Sequence, residues 1–204
     1  IEVFDNSHIQ GTNAVGAMIV AGSDGFEKNS YRKFNIQDAL IKDPYPQAPE
    51  NLRVKTAHRV KAGGDDYYMM RQVLRRRFAK VANSFESGQT TVKPALVLID
   101  GGAGHLSTSL EVAEELKLVD ICFVAIAKGP DRNAGREVFH QSGKRAFSLE
   151  PNDPLLHYLQ RLRDEAHRFA IETHRARRFK SLTRSILDEI PAVGPKRKKE
   201  LLFH

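Results

Sequence analysis

The stretch Arg163-Asp164-Glu165-Ala166-His167-Arg168-Phe169-Ala170-Ile171 sets a titratable imidazole among arginines and carboxylates. It predicts helix, since no glycine or proline interrupts it or lies close by. On a helix, positions three and four apart share a face, so His167 lies with Arg163 and Asp164 on one side and Ile171 on the other. His174, two turns on, falls near the same line. Such a histidine makes a poor core residue. It is a reasonable metal ligand or proton-transfer group aimed at a phosphate. The plainer alternative is an amphipathic surface helix with a solvated histidine, the commoner case for a lone imidazole.

Two further segments end apolar runs with an aspartate: Ile1-Glu2-Val3-Phe4-Asp5, before Asn6-Ser7-His8, and Ala95-Leu96-Val97-Leu98-Ile99-Asp100, before Gly101-Gly102-Ala103-Gly104. The second run, bounded by Pro94 and glycines, predicts a strand buried on both faces. An aspartate ending such a strand sits where the backbone leaves the core, the rim at which open α/β sheets bind ligands. Carboxylates from neighbouring strands are hard oxygen ligands suited to Mg²⁺ or Mn²⁺. A single strand-end aspartate is more often a helix cap or turn residue, and Asp100 before Gly-Gly fits that too.

Together these segments resemble the C-terminal half of the UvrC excinuclease family. Asp5-Asn6-Ser7-His8, Ile99-Asp100-Gly101-Gly102 and Glu165-Ala166-His167-Arg168-Phe169 carry the resemblance, and further matches lie at Gly64-Asp65-Asp66-Tyr67, Ala127-Lys128-Gly129 and Ile190-Pro191-Ala192-Val193-Gly194. Asn6 departs from the family pattern, where a hydrophobic residue is expected, and Ala103 and His105 stand where lysine and glutamine are common. Residues from about Asp38 to Lys61 exceed the usual connection.

The resemblance implies an RNase H-like α/β fold, a mixed sheet with helices on both faces in which the Asp5 and Asp100 strands are neighbours. It implies a metal-dependent DNA endonuclease making the 5′-side incision at damaged double-stranded DNA in bacterial nucleotide excision repair, in a complex with UvrB. Asp5, Asp100 and His167 would form its catalytic, metal-holding set with Mg²⁺ or Mn²⁺, His167 as ligand or proton acceptor. Asp66 matches an acidic family position tied to activity and reads equally well as a helix cap. Neither the family's N-terminal GIY-YIG nuclease nor its UvrB-docking segment matches any part of this chain, and both ends read as cuts in a longer polypeptide.

The formal net charge of +7 favours a polyanionic partner. The cations cluster. Arg71, Arg75, Arg76 and Arg77 share one predicted helix; Arg161, Arg163, Arg168, Arg175, Arg177, Arg178 and Lys180 share another; Lys196, Arg197, Lys198 and Lys199 form a third block. Arg75, Arg76, Arg163 and Arg168 are expected to contact DNA phosphates, against the alternative of solvated helix faces. No apolar run is long enough to span a bilayer, and neither a membrane nor a small-molecule substrate is expected. The lone Cys122, inside the apolar run 121–127, predicts a buried structural thiol in a reducing cytoplasm.

Strands are expected over 1–9, 15–21 and 26–36, a meander turning at Gly22-Ser23-Asp24-Gly25. Residues 38–61, with Pro44, Pro46 and Pro49, read as a surface insertion. A helix capped by Asp65 or Asp66 should run to about Asn83, followed by the Asp100 strand, a helix over 106–116, a strand over 121–127, a hairpin over 138–147 turning at Ser142-Gly143, and a helix over about 155–180. Glu165 is expected to form a salt bridge away from His167, His8 to stand behind the site, and His105 to lie in the first turn of a surface helix. The endonuclease domain is expected over 1–181. Residues 182–204 predict a partial helix-hairpin-helix whose Gly194, Lys196, Arg197 and Lys198 approach phosphate.

Two rivals remain. Another RNase H-like enzyme, such as an RNase H, a resolvase or an integrase, should show more strand-borne carboxylates and no terminal hairpin. A catalytically silent DNA-binding module should leave Asp5, Asp100 and His167 apart.

Overall fold

A computed structural model of the chain describes residues 1–9, 12–36, 39–40, 59–60, 66–87, 92–129 and 135–183, with Gly194 and Arg197. The strands are β1 (Glu2–Ile9), β2 (Thr12–Gly22), β3 (Gly25–Phe26), β4 (Arg32–Asn35), β5 (Ala39–Leu40), β6 (Arg59–Val60), β7 (Leu96–Asp100), β8 (Cys122–Ala127) and β9 (Val138–Gln141). The helices are α1 (Asp66–Ser87), α2 (Ala103–Glu115) and α3 (Pro154–Thr183).

One mixed sheet runs in the order β3-β2-β1-β7-β8-β9, with β4 beside β3 on the same edge of β2. β1 is antiparallel to β2 and parallel to β7; β7 is parallel to β8, and β8 antiparallel to β9. Alternation along the strands divides the core. Phe4, Met18, Val97, Ile99 and Ala125 face α1 and α2, packing with Met70, Leu74, Phe78 and Val112. Val3, Ile19, Leu98 and Ile126 face α3, packing with Leu156, Leu162 and Ala166. Helices thus cover both faces of an RNase H-like mixed sheet. β7 is buried on both sides, as its unbroken apolar run predicts.

Several expectations shift. The third expected strand is divided. Gly25, at φ 109°, closes the tight turn into β3, and the amides of Ser30 and Tyr31 then bond back to Glu27 and Lys28 in a 3-10 turn before β4 rejoins β2. Asp5 is not at the end of its strand. β1 continues to Ile9 along β2, while its ladder with β7 ends beside Asp5, because β7 leaves the sheet at Gly101. Cys122 is exposed rather than buried, since it opens β8 at the margin of the sheet, where its Sγ lies 3.4 Å from Gln141 Nε2. The stems of the expected insertion pair, Ala39 with Val60 and Leu40 with Arg59; residues 41–58 lie outside the described residues. So does the expected terminal hairpin, except for Leu182, Thr183, Gly194 and Arg197.

α3 starts sharply. Asp153 Oδ1 accepts the Leu155 amide at 2.8 Å, and Pro154 takes the first helical position, where no amide is needed. Its buried stripe runs Leu156, Leu159, Leu162, Arg163, Ala166, Ala170, Thr173, changing from leucine to alanine towards the C-terminal half. Alanine lets that half lie close over the sheet.

Candidate active site

Asp5 follows Val3 by two residues and Asp100 follows Leu98 by two, so both carboxylates fall on the α3 face. The β1–β7 register pairs Phe4 with Ile99, and one step further brings Asp5 beside Asp100. His167 comes from the opposite layer. With Ala166 and Ala170 fully buried against the sheet, its ring reaches down to the first aspartate. His167 Nδ1 lies 2.9 Å from Asp5 Oδ2. Asp5, Asp100 and His167 each offer a ligand atom, all within 4.8 Å of one another. Asp66 is not in this cluster. It opens α1 on the other face, where its carbonyl accepts Asn6 Nδ2 at 3.3 Å.

The electrostatics follow from crowding two carboxyls at a buried position. Burial, then the Asp5 charge, pushes the Asp100 carboxyl up to about 6, against the opposing pull of Arg163, His167 and Lys128. The hydrogen bond to Asp5 raises the His167 imidazole above its usual value, overcoming burial, and the Asp100 charge adds to it. The Asp5 side chain is 8% exposed and that of His167 is 52% exposed, so one face of the imidazole is open to water or substrate. With Nδ1–H donating to Asp5, Nε2 is left as the acceptor. The donor set fits a hard divalent cation. Two carboxylate oxygens and one imidazole nitrogen suit Mg²⁺ or Mn²⁺, and a cation there would offset the burial and the neighbouring charge that raise the Asp100 carboxyl.

The helix arginines are placed differently from one another. Arg163 is buried: its Nη1 donates to Glu137 Oε1 at 2.9 Å, and Gln160 Nε2 and the Gly135 amide complete that carboxylate. It ties α3 to the chain entering β9 and puts positive charge near Asp100. Arg168 is exposed and pairs with Glu165 and Glu172 along α3. The Arg168 pair is the salt bridge expected of Glu165, which also accepts the Tyr31 hydroxyl at 3.1 Å. Arg75 pairs with Glu115 of α2, and Arg76 donates to the Asn35 carbonyl, both on the sheet face opposite the cluster. His105 lies in the first turn of α2 with its ring 4.8 Å from that of Tyr67. Gly194 and Arg197 are exposed; Lys196, Lys198 and the His8 side chain lie outside the described residues.

Lys128 entered the sequence reading only through the Ala127-Lys128-Gly129 match and was given no role there, although it follows a buried strand as Asp100 does. It is exposed at the end of β8, close enough to act on both Asp100 and His167.

The sequence profile of the UvrC RNAse H endonuclease domain matches residues 1–171. Among curated proteins, the chain is 54% identical over 204 residues to UvrABC system protein C of Paramagnetospirillum magneticum, covering 100% of this chain and 30% of that protein. It is 54% identical to UvrABC system protein C of Hyphomonas neptunium over 206 residues, and 52% identical to that of Caulobacter vibrioides over 202 residues. These alignments cover 100% and 99% of this chain, and 30% and 28% of those proteins.

Proposed function

This chain belongs to the UvrC RNase H endonuclease domain family, and from that premise we propose that it is a metal-dependent endodeoxyribonuclease making the 5′-side incision at damaged DNA during nucleotide excision repair. UvrB is its partner in the excision complex, damaged double-stranded DNA its substrate, and the bacterial cytoplasm its setting. The observation that carries the reading is the meeting of Asp5, Asp100 and His167, drawn from three distant parts of the chain, within 4.8 Å. A silent DNA-binding module gives no reason for that meeting. The terminal segment around Gly194, Lys196, Arg197 and Lys198 serves as a further phosphate anchor.

Asp5 and Asp100 would hold Mg²⁺ or Mn²⁺, with His167 as third ligand or as base. When bound, such a cation supplies charge stabilisation at the phosphoryl group and lowers the pKa of water. The protein's own groups do the rest. Asp5 orients the imidazole through its 2.9 Å contact with Nδ1, leaving Nε2 towards solvent to take a proton from water. α3, clamped through Arg163 to Glu137, fixes the height of that imidazole over the sheet.

The test is His167→Ala in a reconstituted excision reaction. We expect 5′ incision to fall ~10²–10⁴-fold, the usual worth of a general base, with 3′ incision unchanged. Calorimetry should find Mn²⁺ binding lost in Asp5→Asn and Asp100→Asn with the fold retained. A 5′-incision rate within a few-fold of the parent across pH, in both Mg²⁺ and Mn²⁺, would return His167 to the status of a surface residue.

A further inference from the structure

Lys128 stands on the rim of the sheet beside the candidate metal site. β7 pairs Asp100 with Ile126, whose side chain is fully buried on the α3 side. Lys128 follows Ile126 by two residues, so continued strand alternation puts it on the same face as the two carboxylates. With strands ~4.8 Å apart and ~3.3 Å per residue, its Cα lies about 8 Å from that of Asp100. Its charge reaches both Asp100 and His167.

The lysine is carried on a fixed mount. Ala127 before it pairs with Val138 of β9. Gly129 after it is buried, and a side chain there would collide with the Arg136 carbonyl, so the backbone lies hard against the chain entering β9. That chain also holds Glu137, the partner of Arg163 on α3. The height of His167 and the seat of Lys128 therefore rest on one frame, as groups that must meet a common ligand require.

The Lys128 side chain is nevertheless exposed, and among the described residues no carboxylate holds it at hydrogen-bonding distance. Arg163, which also acts on Asp100, is buried and bonded to Glu137 and Asp164. A lysine kept only to balance the carboxylates would lie in contact with one of them. An ammonium is a compact, strongly hydrated point charge on a flexible stem, suited to phosphate. Two carboxylates would repel a polyanionic strand, and a cation on their rim offsets that repulsion where the strand must approach.

We propose that the Lys128 ammonium binds the phosphate presented to Asp5, Asp100 and His167, gripping a non-bridging oxygen from the β8 side of the cluster. The assignment rests on the nuclease reading above and deepens it. It makes Lys128 the protein's own cation on the scissile phosphate, while Arg163 is committed to the fold.

The test steps one neutral methylphosphonate along a strand of a bubble duplex, whose junction fixes the register. Equilibrium binding of the full chain to each version is measured without added metal. In the parent, neutralising one phosphate should weaken binding ~2–5-fold, the usual worth of one exposed ion pair. In Lys128→Ala that position alone should become silent, and Lys128→Arg should restore the penalty. Shortening an exposed lysine costs the fold little, so the variants stay comparable. The alanine variant should also reduce the slope of log affinity against log salt by ~0.7–0.9. If it weakens binding equally to every version, or not at all, the assignment is wrong. The 5′ cut made on the same duplex in the reconstituted excision reaction with Mn²⁺ is mapped separately. A cut at the phosphate that Lys128→Ala silences supports the assignment. A cut at any other phosphate overturns it and leaves the nuclease reading standing. A silenced position with no cut by the parent leaves the Lys128 contact standing and sinks the nuclease reading.

Discussion

The Asp100 carboxyl stands at about 6 against an ordinary 3.8, chiefly because it is buried and secondly because Asp5 is charged beside it. A carboxyl raised in the folded state binds its proton more tightly there than in the unfolded chain. Stability therefore falls as pH rises from about 3.8 to about 6 and stays reduced above that window. His167 adds to the trend. Its raised imidazole, held first by the Asp5 hydrogen bond, gives stability that is full below its unfolded value and is lost as pH rises through the folded one. Asp100→Asn, measured without metal at pH 7, should thus be more stable than the parent. The gain should be about 1–3 kcal/mol, the upper figure being the whole shift converted. It should vanish below about pH 4, where both forms are neutral. Thermal melts across pH read this directly. Added Mn²⁺ should reverse the order by stabilising only the parent. A parent that outlasts Asp100→Asn at pH 7 without metal would mean that Asp100 is not a strained carboxylate.

At the scale of elements, the position of His167 depends on how closely α3 approaches β1 and β2. Ala166 and Ala170 are fully buried there, whereas the buried positions nearer the helix start are the larger Leu156, Leu159 and Leu162. Enlarging the close contact should lift the site without touching a ligand. Ala166→Leu is expected to cost about 1–3 kcal/mol through overpacking. It should also cut 5′ incision well beyond what its stability loss explains, because the 2.9 Å His167–Asp5 contact has no slack. Comparing urea unfolding with incision below the unfolding range separates these effects. Full activity would show that α3 can retreat without moving the imidazole. The place of α3 and the burial of β7 were legible because each is local: a helix over about 155–180 was expected and Pro154–Thr183 is found, and an unbroken apolar run marked β7. The divided third strand and the exposure of Cys122 were not, because the return of β4 to β2 and a place at the sheet margin depend on neighbours elsewhere along the chain.

Over the whole molecule, charge is distributed unevenly in function. α1 lies on the face opposite the cluster, and its arginines are engaged there by Glu111, Glu115, Glu2 and the Asn35 carbonyl. These arginines are thus not free cations beside the site, whatever the net charge of +7. Binding should be sequence-independent and should fall steeply with salt, with a slope set by few phosphate contacts. Removing residues after Leu182 should weaken binding to a bubble or junction more than to plain duplex, if the terminal basic segment is an anchor. Equal affinities of the full and shortened chains, measured by anisotropy across salt, would remove that segment from the interface.

The sequence by itself carried the element types, through local alternation and helix spacing, and, through its short motifs, the resemblance to the family and the choice of Asp5, Asp100 and His167 as candidates. Tertiary structure alone decided which groups meet. It set Asp5 beside Asp100 by register, brought His167 down from α3, buried Arg163 against Glu137, committed Arg75 to Glu115, and left Lys128 exposed beside Asp100. A charged side chain looks the same in a sequence whether it faces a carboxylate or solvent. Only the packing of one element on another fixes the low-dielectric surroundings and the partner, and with them what the charge is free to do.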